Sequence, residues 1–148
     1  MINNMYFKDC INFADKVKNC SMSTVEGNQP RVRMMGLWFA SEDGFYFQAW
    51  NFKDICKQLK ENPNMEICFF NQDKTDLYSM MRVRGEVEFI EEPALKERVL
   101  ADRPFLKDLG AKGPDDPKIV IFRIAHGEAS FWPVKEEGQY PSSDKIKF

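Results

Sequence analysis

The chain has 148 residues, of which 43% are hydrophobic and 30% charged, and these are the proportions of an ordinary folded domain. Its net charge is −2 at pH 7, without a basic tail or a block of like charge, so the electrostatic footprint of a nucleic-acid-binding protein is missing. No apolar run approaches the roughly 20 residues that span a bilayer, and the N-terminus lacks a signal-peptide pattern. We therefore expect one cytoplasmic domain over residues 1–148 that binds neither nucleic acid nor membrane.

The first half of the chain predicts a helix followed by three short strands. Residues 5–19 have apolar side chains at helical spacing, which is typical of an amphipathic helix. Residues 21–27 predict a strand, and Arg31 to Ala40 predict a second strand in which neither face is simply polar. Such a strand is expected to be covered on both sides, one of them by a ligand or a second subunit. Residues 41–44 predict a hairpin turn, because Asp-Gly is a strong turn signal, and residues 45–50 the return strand.

A second helix and a buried strand follow this hairpin. Asn51 is a suitable N-cap, with Asp54 at the third helical position, and the helix is expected to end at Asn62-Pro63. The side chains expected to face the core are those of Phe52, Ile55 and Leu59. Lys53, Lys57 and Lys60 share another face. Residues 65–71 predict a buried strand.

The second half of the chain predicts two long strands separated by a helix. Residues 77–90 predict a long strand that alternates apolar and charged side chains from Met81 onward, with Gly85 as the site of a bulge. The Arg/Glu face is interpreted as solvated with cross-strand pairs. Pro93 begins a helix, residues 118–130 form the last long strand, and residues 134–148 are expected to be a partly mobile tail. Short connections between consecutive strands predict antiparallel pairing in a small closed or half-closed barrel, with helices outside.

The usual catalytic and metal-binding motifs are missing from the sequence. The four cysteines form no CxxC pair, so neither a zinc site nor a disulfide framework is expected. There is no nucleophile elbow, phosphate-binding loop, metalloprotease motif or dinucleotide fingerprint. The lone histidine, His126, is interpreted as a strand or turn residue. Redox chemistry by a bound organic cofactor is therefore the leading enzymatic option.

Residues 30–57 carry cations in unusual places. Arg31 and Arg33 lie among apolar residues of a predicted strand. Lys53 and Lys57 lie at a helix start, where the helix dipole disfavours a cation unless an anion neutralises it. This stretch predicts an anion site, which we interpret as a site for a cofactor phosphate. The alternatives are a surface or interface ion pair for Arg33 and a solvated helix face for Lys57.

Several short motifs occur in an order that resembles one known family. They are Pro30-x-x-Arg33, Asp43-Gly44, an aromatic strand, Lys53 followed by a helix and a buried strand, Arg82 to Gly85, and Gly127 to Pro133. Over about residues 6–133 this order is similar to that of the pyridoxamine 5'-phosphate oxidase-related, FMN-binding split-barrel proteins, and in particular to the nitroimidazole-resistance (Nim) and general-stress branch.

The resemblance implies a mainly β (α+β) fold, a six-stranded antiparallel split barrel with peripheral helices, in a homodimer with FMN at the interface. It implies that Arg33 and Lys53 bind the FMN phosphate, with Lys57 as a helper, and that Met34 and Met35 run beside the isoalloxazine ring. The residues implied to line the flavin or its ribityl chain are Gln48, Ala49, Trp50 and Asn51. Trp132 would contact the ring from the second subunit. For Trp50 and Trp132, packing in the core or at the dimer interface is the open alternative.

The implied function is an oxidoreductase that passes electrons from NAD(P)H through FMN to a small organic acceptor, such as a nitro compound or a quinone. The alternative is a non-catalytic module that binds flavin or a tetrapyrrole. Two departures from the family pattern narrow the range of expected substrates. The arginine-containing C-terminal segment of true pyridoxamine phosphate oxidases is not recognisable after Pro133, which argues against vitamin B6 oxidation. The only histidine is His126, which argues against specific nitroimidazole reduction.

Overall fold

A computed structural model of the chain describes residues 6–134 and 145–148. The helices are α1 (Phe7–Val17), α2 (Asp54–Glu61), α3 (Pro93–Asp102) and α4 (Phe105–Asp108). The strands are β1 (Asn19–Glu26), β2 (Gln29–Gly36), β3 (Phe39–Ser41), β4 (Gly44–Trp50), β5 (Asn64–Phe70), β6 (Tyr78–Ile90), β7 (Ile119–Pro133) and β8 (Ile146–Lys147).

The strands form one antiparallel sheet that curls without closing. Its order is β2-β1-β5-β6-β7-β4-β3, and β8 pairs with β7. The two ends of this path, β2 and β3, are not paired with each other, so the barrel is split. The split-barrel prediction is confirmed. Six strands have seven residues or more, as predicted, and β3 and β8 are short additions.

Two apolar clusters hold the sheet from opposite sides. The inner cluster fills the barrel and includes Phe45, Phe47 and Phe122, all fully buried, with α1 packed against it through Cys10 and Ala14. The outer cluster joins β4 and β7 to α3 and α4. Its members include Trp38, Tyr46, Val99, Leu106 and Ile121. Because β4 is buried on both faces, its sequence does not alternate apolar and polar residues, and Gln48 is its one amide side chain.

The prediction of one strand from Arg31 to Ala40 is wrong, because the chain changes partner in the middle. The Leu37 N–H donates to the Lys18 carbonyl at 2.8 Å, whereas the Trp38 N–H donates to the Tyr46 carbonyl at 3.0 Å. Both side chains are buried, at 3% and 6% exposure. The strand therefore ends beside β1 as β2 and resumes beside β4 as β3. A pattern that is apolar on both faces gives no local signal of this break.

The predicted start of the second helix is also wrong. Lys53, not Asn51, is the N-cap residue of α2, and it makes no side-chain capping hydrogen bond. The Asn51 N–H donates to the Lys118 carbonyl at 2.8 Å, and the Lys53 N–H donates to the Trp50 carbonyl at 3.0 Å, so Asn51 lies in a turn between β4 and α2. Phe52, which was expected to face the core, is 66% exposed and stacks on Trp50. Ile55 is buried in the core as predicted.

The predictions for β6 are confirmed in detail. Met81 and Val83 are buried, and the register shifts after Gly85, where the bulge was expected. A Cβ at this glycine would lie 2.5 Å from the His126 backbone oxygen, so the close approach of β7 requires glycine there. The charged face forms cross-strand pairs, such as Arg84 with Glu128 at 2.6 Å.

The end of the chain differs from the predicted tail in the part that the structure describes. Residues 135–144 lie outside the described residues. Residues 146–147 pair with β7, and the Phe148 ring stacks on Phe7 with centroids 4.5 Å apart. Strand β7 runs to Pro133, three residues beyond its predicted end.

Three further expectations concern cysteines, metals and membranes. All four cysteines are free, and burial raises the pKa of the Cys10 and Cys20 thiols to about 12. Within the described ranges, no group of three or more His, Cys, Asp or Glu side chains is placed to hold a metal ion. Among the helices described, none has the length and apolar character needed to cross a membrane.

Candidate functional site: a cationic cleft at the split of the barrel

A cleft of about 750 Å³ lies between β2 and β4, near the two ends of the open sheet, with the start of α2 as a third wall. Its lining comes from residues 31–35 of β2, residues 48–50 of β4 and residues 53–55 at the start of α2, together with Glu26 and Gln58. The cleft exists because the sheet does not close. Strands that are far apart in the pairing order therefore face each other across it.

Seven of the ten predicted site residues line this cleft. They are Arg33, Met34, Met35, Gln48, Ala49, Trp50 and Lys53. Asn51 and Lys57 are exposed and do not line it. Trp132 lies on β7, where the Arg82 guanidinium carbon is 4.2 Å from its ring centroid. Its predicted role was in the second subunit, so its position within one chain does not test that role.

Arg33 is a half-buried cation held by neutral oxygens. Its Nη1 donates to Thr24 Oγ1 at 2.7 Å and to the Met22 carbonyl at 3.4 Å, and its Nη2 donates to Gln58 Oε1. Burial lowers the pKa of Arg33, and the nearby charge of Asp54 opposes that shift. Among residues 6–134 and 145–148, no carboxylate lies within 4.0 Å of the guanidinium. An ion pair within the described chain therefore does not explain this arginine.

Lys53 is the second cation without a close counter-ion. It is exposed at the N-cap of α2, and its ammonium lies 5.9 Å from the Phe52 ring centroid. In the described part of the chain it too has no carboxylate within 4.0 Å. The helix dipole adds partial positive charge at the same place, and only Asp54 in the first turn opposes it. The cleft thus combines a helix N-terminus with two cations from different elements, which is the arrangement that favours an anion.

The remaining charges on the cleft wall largely neutralise each other. Arg31 contacts Glu26 at 3.0 Å, and this hydrogen bond is the main cause that lowers the pKa of the Glu26 carboxyl. The lining contains three cations and two carboxylates, so it carries one net positive charge. Lys57 lies outside the lining, and its charge makes the smallest of the contributions that lower the Glu26 pKa. The structure therefore places Lys57 beside the cleft rather than in it.

Sequence reasoning missed two polar residues behind Arg33. Thr24 is fully buried and Gln58 is 3% exposed, and Thr24 Oγ1 donates to Gln58 Oε1 at 2.6 Å. A signal for each was present in the sequence. Gln58 occupies a core-facing position of α2 between Ile55 and Leu59, and Thr24 follows buried Met22 at strand spacing. A polar residue at a core position is informative, because buried polar groups need partners.

Gln48 supplies one more unusual polar group at the cleft. Its residue is 7% exposed, and its Nε2 is buried without a hydrogen-bond partner among the described residues. Leaving such a donor unpaired costs about 1–3 kcal/mol, so a native structure normally satisfies it.

The class of protein defined by these features is an antiparallel split barrel with a cationic cleft at its open seam. The family model described as pyridoxamine 5'-phosphate oxidase matches residues 8–133, which is most of the chain. The chain therefore belongs to the pyridoxamine 5'-phosphate oxidase family, and the resemblance noted from the sequence motifs is confirmed.

Solved structures from several bacteria share this fold. A NimC/NimA family protein from Clostridium acetobutylicum superposes with a TM-score of 0.76 at 27% identity, covering 95% of this chain and 91% of that one. General stress protein 26 from Bacillus anthracis gives a TM-score of 0.71 at 17% identity, with 97% and 100% coverage. The haem storage protein HutZ from Vibrio cholerae gives 0.59 at 13% identity, with 97% and 96% coverage. A comparison with curated proteins found no match.

Proposed function

We propose that the cleft binds FMN and that the protein is an FMN-dependent oxidoreductase, which passes electrons from NAD(P)H to a small organic acceptor such as a nitro compound or a quinone. The observation that carries this proposal is the pair of cations, Arg33 and Lys53, on the wall of a cleft in a family named for a phosphate-bearing substrate. A phosphate dianion would neutralise both cations and would sit at the N-terminus of α2.

The residues present fit the remaining parts of such a ligand. A volume of about 750 Å³ is within the usual range of small-molecule sites, roughly 300–1,000 Å³. Met34, Met35 and Trp50 offer apolar surface for a planar ring, and Gln48 is a polar side chain on the β4 wall of the cleft. Bound FMN would supply the electron-transfer chemistry itself. The chain's own residues would bind the phosphate, orient the ring and shield one side of it.

We also propose that the protein is a homodimer with FMN at the interface. Support comes from the outer face of the sheet, where Val32 and Met34 of β2 are 71% and 67% exposed. Through the strand register they share a face with Phe70, which is 54% exposed. Exposed apolar surface of this kind marks protein interfaces. Light scattering at micromolar concentration checks the proposal, and a monomer would contradict it.

The four free cysteines support a cytoplasmic location within this proposal, because reducing compartments keep thiols unpaired. The second candidate from the sequence, a tetrapyrrole-binding module, gains no support at the cleft. His126, the only histidine, is exposed and lines a separate groove with Arg84 and Glu66.

Two measurements test the proposed function in order. Purified protein is expected to be yellow, or to take up added FMN with a change in the flavin absorption bands. Colourless protein that takes up no FMN would refute flavin binding. Anaerobic addition of NADH or NADPH is then expected to bleach the bound flavin. If neither donor bleaches it within minutes while FMN remains bound, the protein is a flavin-binding module and the oxidoreductase proposal fails.

A further inference from the structure

Gln58 lies at the centre of a small polar network beneath the cleft. Its Oε1 accepts from Thr24 Oγ1 at 2.6 Å and from Arg33 Nη2, and its Nε2 donates to Glu26 Oε2 at 3.3 Å. This pattern fixes which end of the amide faces which partner. The reverse orientation would place the NH₂ group against the Arg33 donor and the carbonyl oxygen against the Glu26 carboxylate.

The network occupies one particular edge of the Arg33 guanidinium. The group has five N–H donors in a rigid plane. Nη1 uses its two on Thr24 and the Met22 carbonyl, and Nη2 uses one on Gln58. The donors that remain are Nε–H and the second Nη2–H, which have no partner within the described residues and lie along the same edge of the planar group. Two parallel donors are the arrangement that grips two oxygens of a phosphate.

The acceptors that hold Arg33 are also uncharged. Thr24 and Gln58 fix the guanidinium without neutralising it, and the nearest carboxylate of the network, Glu26, is held by Arg31. A carboxylate in place of the Gln58 amide would accept the same hydrogen bonds and would cancel the charge of Arg33. The choice of an amide therefore leaves the full positive charge available to a ligand.

We propose that Gln58 and Thr24 are positioning residues that turn the free Nε/Nη2 edge of Arg33 into the cleft for recognition of a phosphate monoester. This inference rests on the proposed function, because it assigns the phosphate end of the same ligand. It predicts that changes at Gln58 and Thr24 act through Arg33 and discriminate FMN from riboflavin, which lacks only the phosphate.

The first test compares Gln58→Glu with the matched control Lys60→Gln. Both lower the net charge on α2 by one, but Lys60 is exposed and does not line the cleft. FMN and riboflavin affinities are measured by fluorescence titration of the apoprotein. Gln58→Glu is expected to weaken FMN binding by roughly tenfold or more, as for the loss of one charge-assisted hydrogen bond, and to leave riboflavin binding unchanged. Lys60→Gln is expected to change neither. Equal weakening of both flavins by Gln58→Glu, or no weakening of FMN, would overturn the inference.

The second test asks whether Gln58 acts through Arg33. Gln58→Met is made in the wild-type and Arg33→Ala backgrounds, and the two effects are compared as a double-mutant cycle. Gln58→Met is expected to weaken FMN binding in the wild-type background and to have no effect on it in the Arg33→Ala background. Additive effects would refute a positioning role. If Gln58 variants fail to fold, the same question is tested with Thr24→Val and Thr24→Ser. Thr24→Val is expected to weaken FMN binding, whereas Thr24→Ser, which keeps the hydroxyl, is expected to bind FMN like the wild type.

The two levels of the proposal fail in different ways. If the wild-type protein binds neither flavin, both the proposed FMN site and this inference are refuted. If the wild-type protein prefers FMN to riboflavin and Gln58→Glu and Thr24→Val show the same preference, the FMN site is supported and only the positioning role is refuted.

Discussion

Removal of both unpaired cations is expected to abolish selective binding of the phosphate. In the double variant Arg33→Ala/Lys53→Ala the cleft keeps its apolar wall but loses its two cations without close counter-ions. One net positive charge in the lining becomes one net negative charge. FMN affinity should therefore fall steeply, whereas affinity for riboflavin should change little.

The magnitude follows from the surroundings of each cation. A charge-assisted hydrogen bond contributes about 1.5–3 kcal/mol. Arg33 is half-buried and held in place, so its share should lie near the upper value, whereas Lys53 is exposed and its share is reduced by solvent and salt. A total of roughly 3–5 kcal/mol corresponds to a loss of about 10²–10⁴-fold in affinity.

The assay is a titration of apoprotein with FMN and with riboflavin, followed by flavin fluorescence. Arg33→Ala also removes the guanidinium that donates to Thr24 and Gln58, so thermal unfolding without ligand separates lost stability from lost binding. Arg33→Lys is a useful companion, because it keeps the charge and loses the planar fork. A double variant that binds FMN like the wild type, or that loses riboflavin to the same extent, would refute the assignment of the phosphate to these residues.

Three further predictions concern the helix beside the cleft, a turn and a buried carboxylate. Lys57→Ala should weaken FMN binding much less than Lys53→Ala, because Lys57 is outside the cleft lining; equal losses in the same titration would place Lys57 at the phosphate. Gly44→Ala should destabilise the fold by about 1–3 kcal/mol or more, because Gly44 has φ +126° and a Cβ there would overlap the backbone of β7; an unchanged melting temperature would contradict this. Asp116 accepts hydrogen bonds from two backbone N–H groups, which hold the pKa of its carboxyl below the usual range. Its contribution to stability is therefore present above the unfolded-state pKa of about 3.9 and is lost as the pH falls through the lower pKa of the folded state. Asp116→Asn should flatten the acid limb of the unfolding free energy in urea titrations at a series of pH values, and an identical limb would argue against this role.

The sequence was sufficient wherever the structure is set by neighbours along the chain. The alternation of Met81 and Val83 with charged residues predicted the buried face of β6, and glycine predicted its bulge. The Asp43-Gly44 turn predicted the hairpin between β3 and β4. Seven of the cleft residues followed from the family resemblance and from the unusual positions of the cations. In each case the signal and its structural consequence lie within a few residues of each other.

The sequence was insufficient wherever a distant partner decides. The break between β2 and β3 arises because β1 holds one part and β4 the other, and no residue between Gly36 and Phe39 is a turn signal by itself. The late start of α2 depends on Lys118, whose carbonyl accepts from the Asn51 N–H and holds this residue in a turn before the helix. The Thr24–Gln58 hydrogen bond joins residues 34 positions apart, so only a three-dimensional structure shows why a polar residue lies on the core face of α2.

The cleft combines two features that do not favour folding on their own. A cation at the N-cap of α2 opposes the helix dipole, typically by a few tenths of a kcal/mol to about 1 kcal/mol. The half-buried Arg33 is desolvated and has a fixed orientation, but no carboxylate within 4.0 Å in the described residues compensates its charge. Both features become favourable once an anion occupies the cleft, because a cation that is already desolvated and oriented loses less on binding. Without an anion, these two features therefore lower the local stability of the fold at the cleft. The neutral Thr24–Gln58 support is the feature that distinguishes such a prepared site from an ordinary buried ion pair.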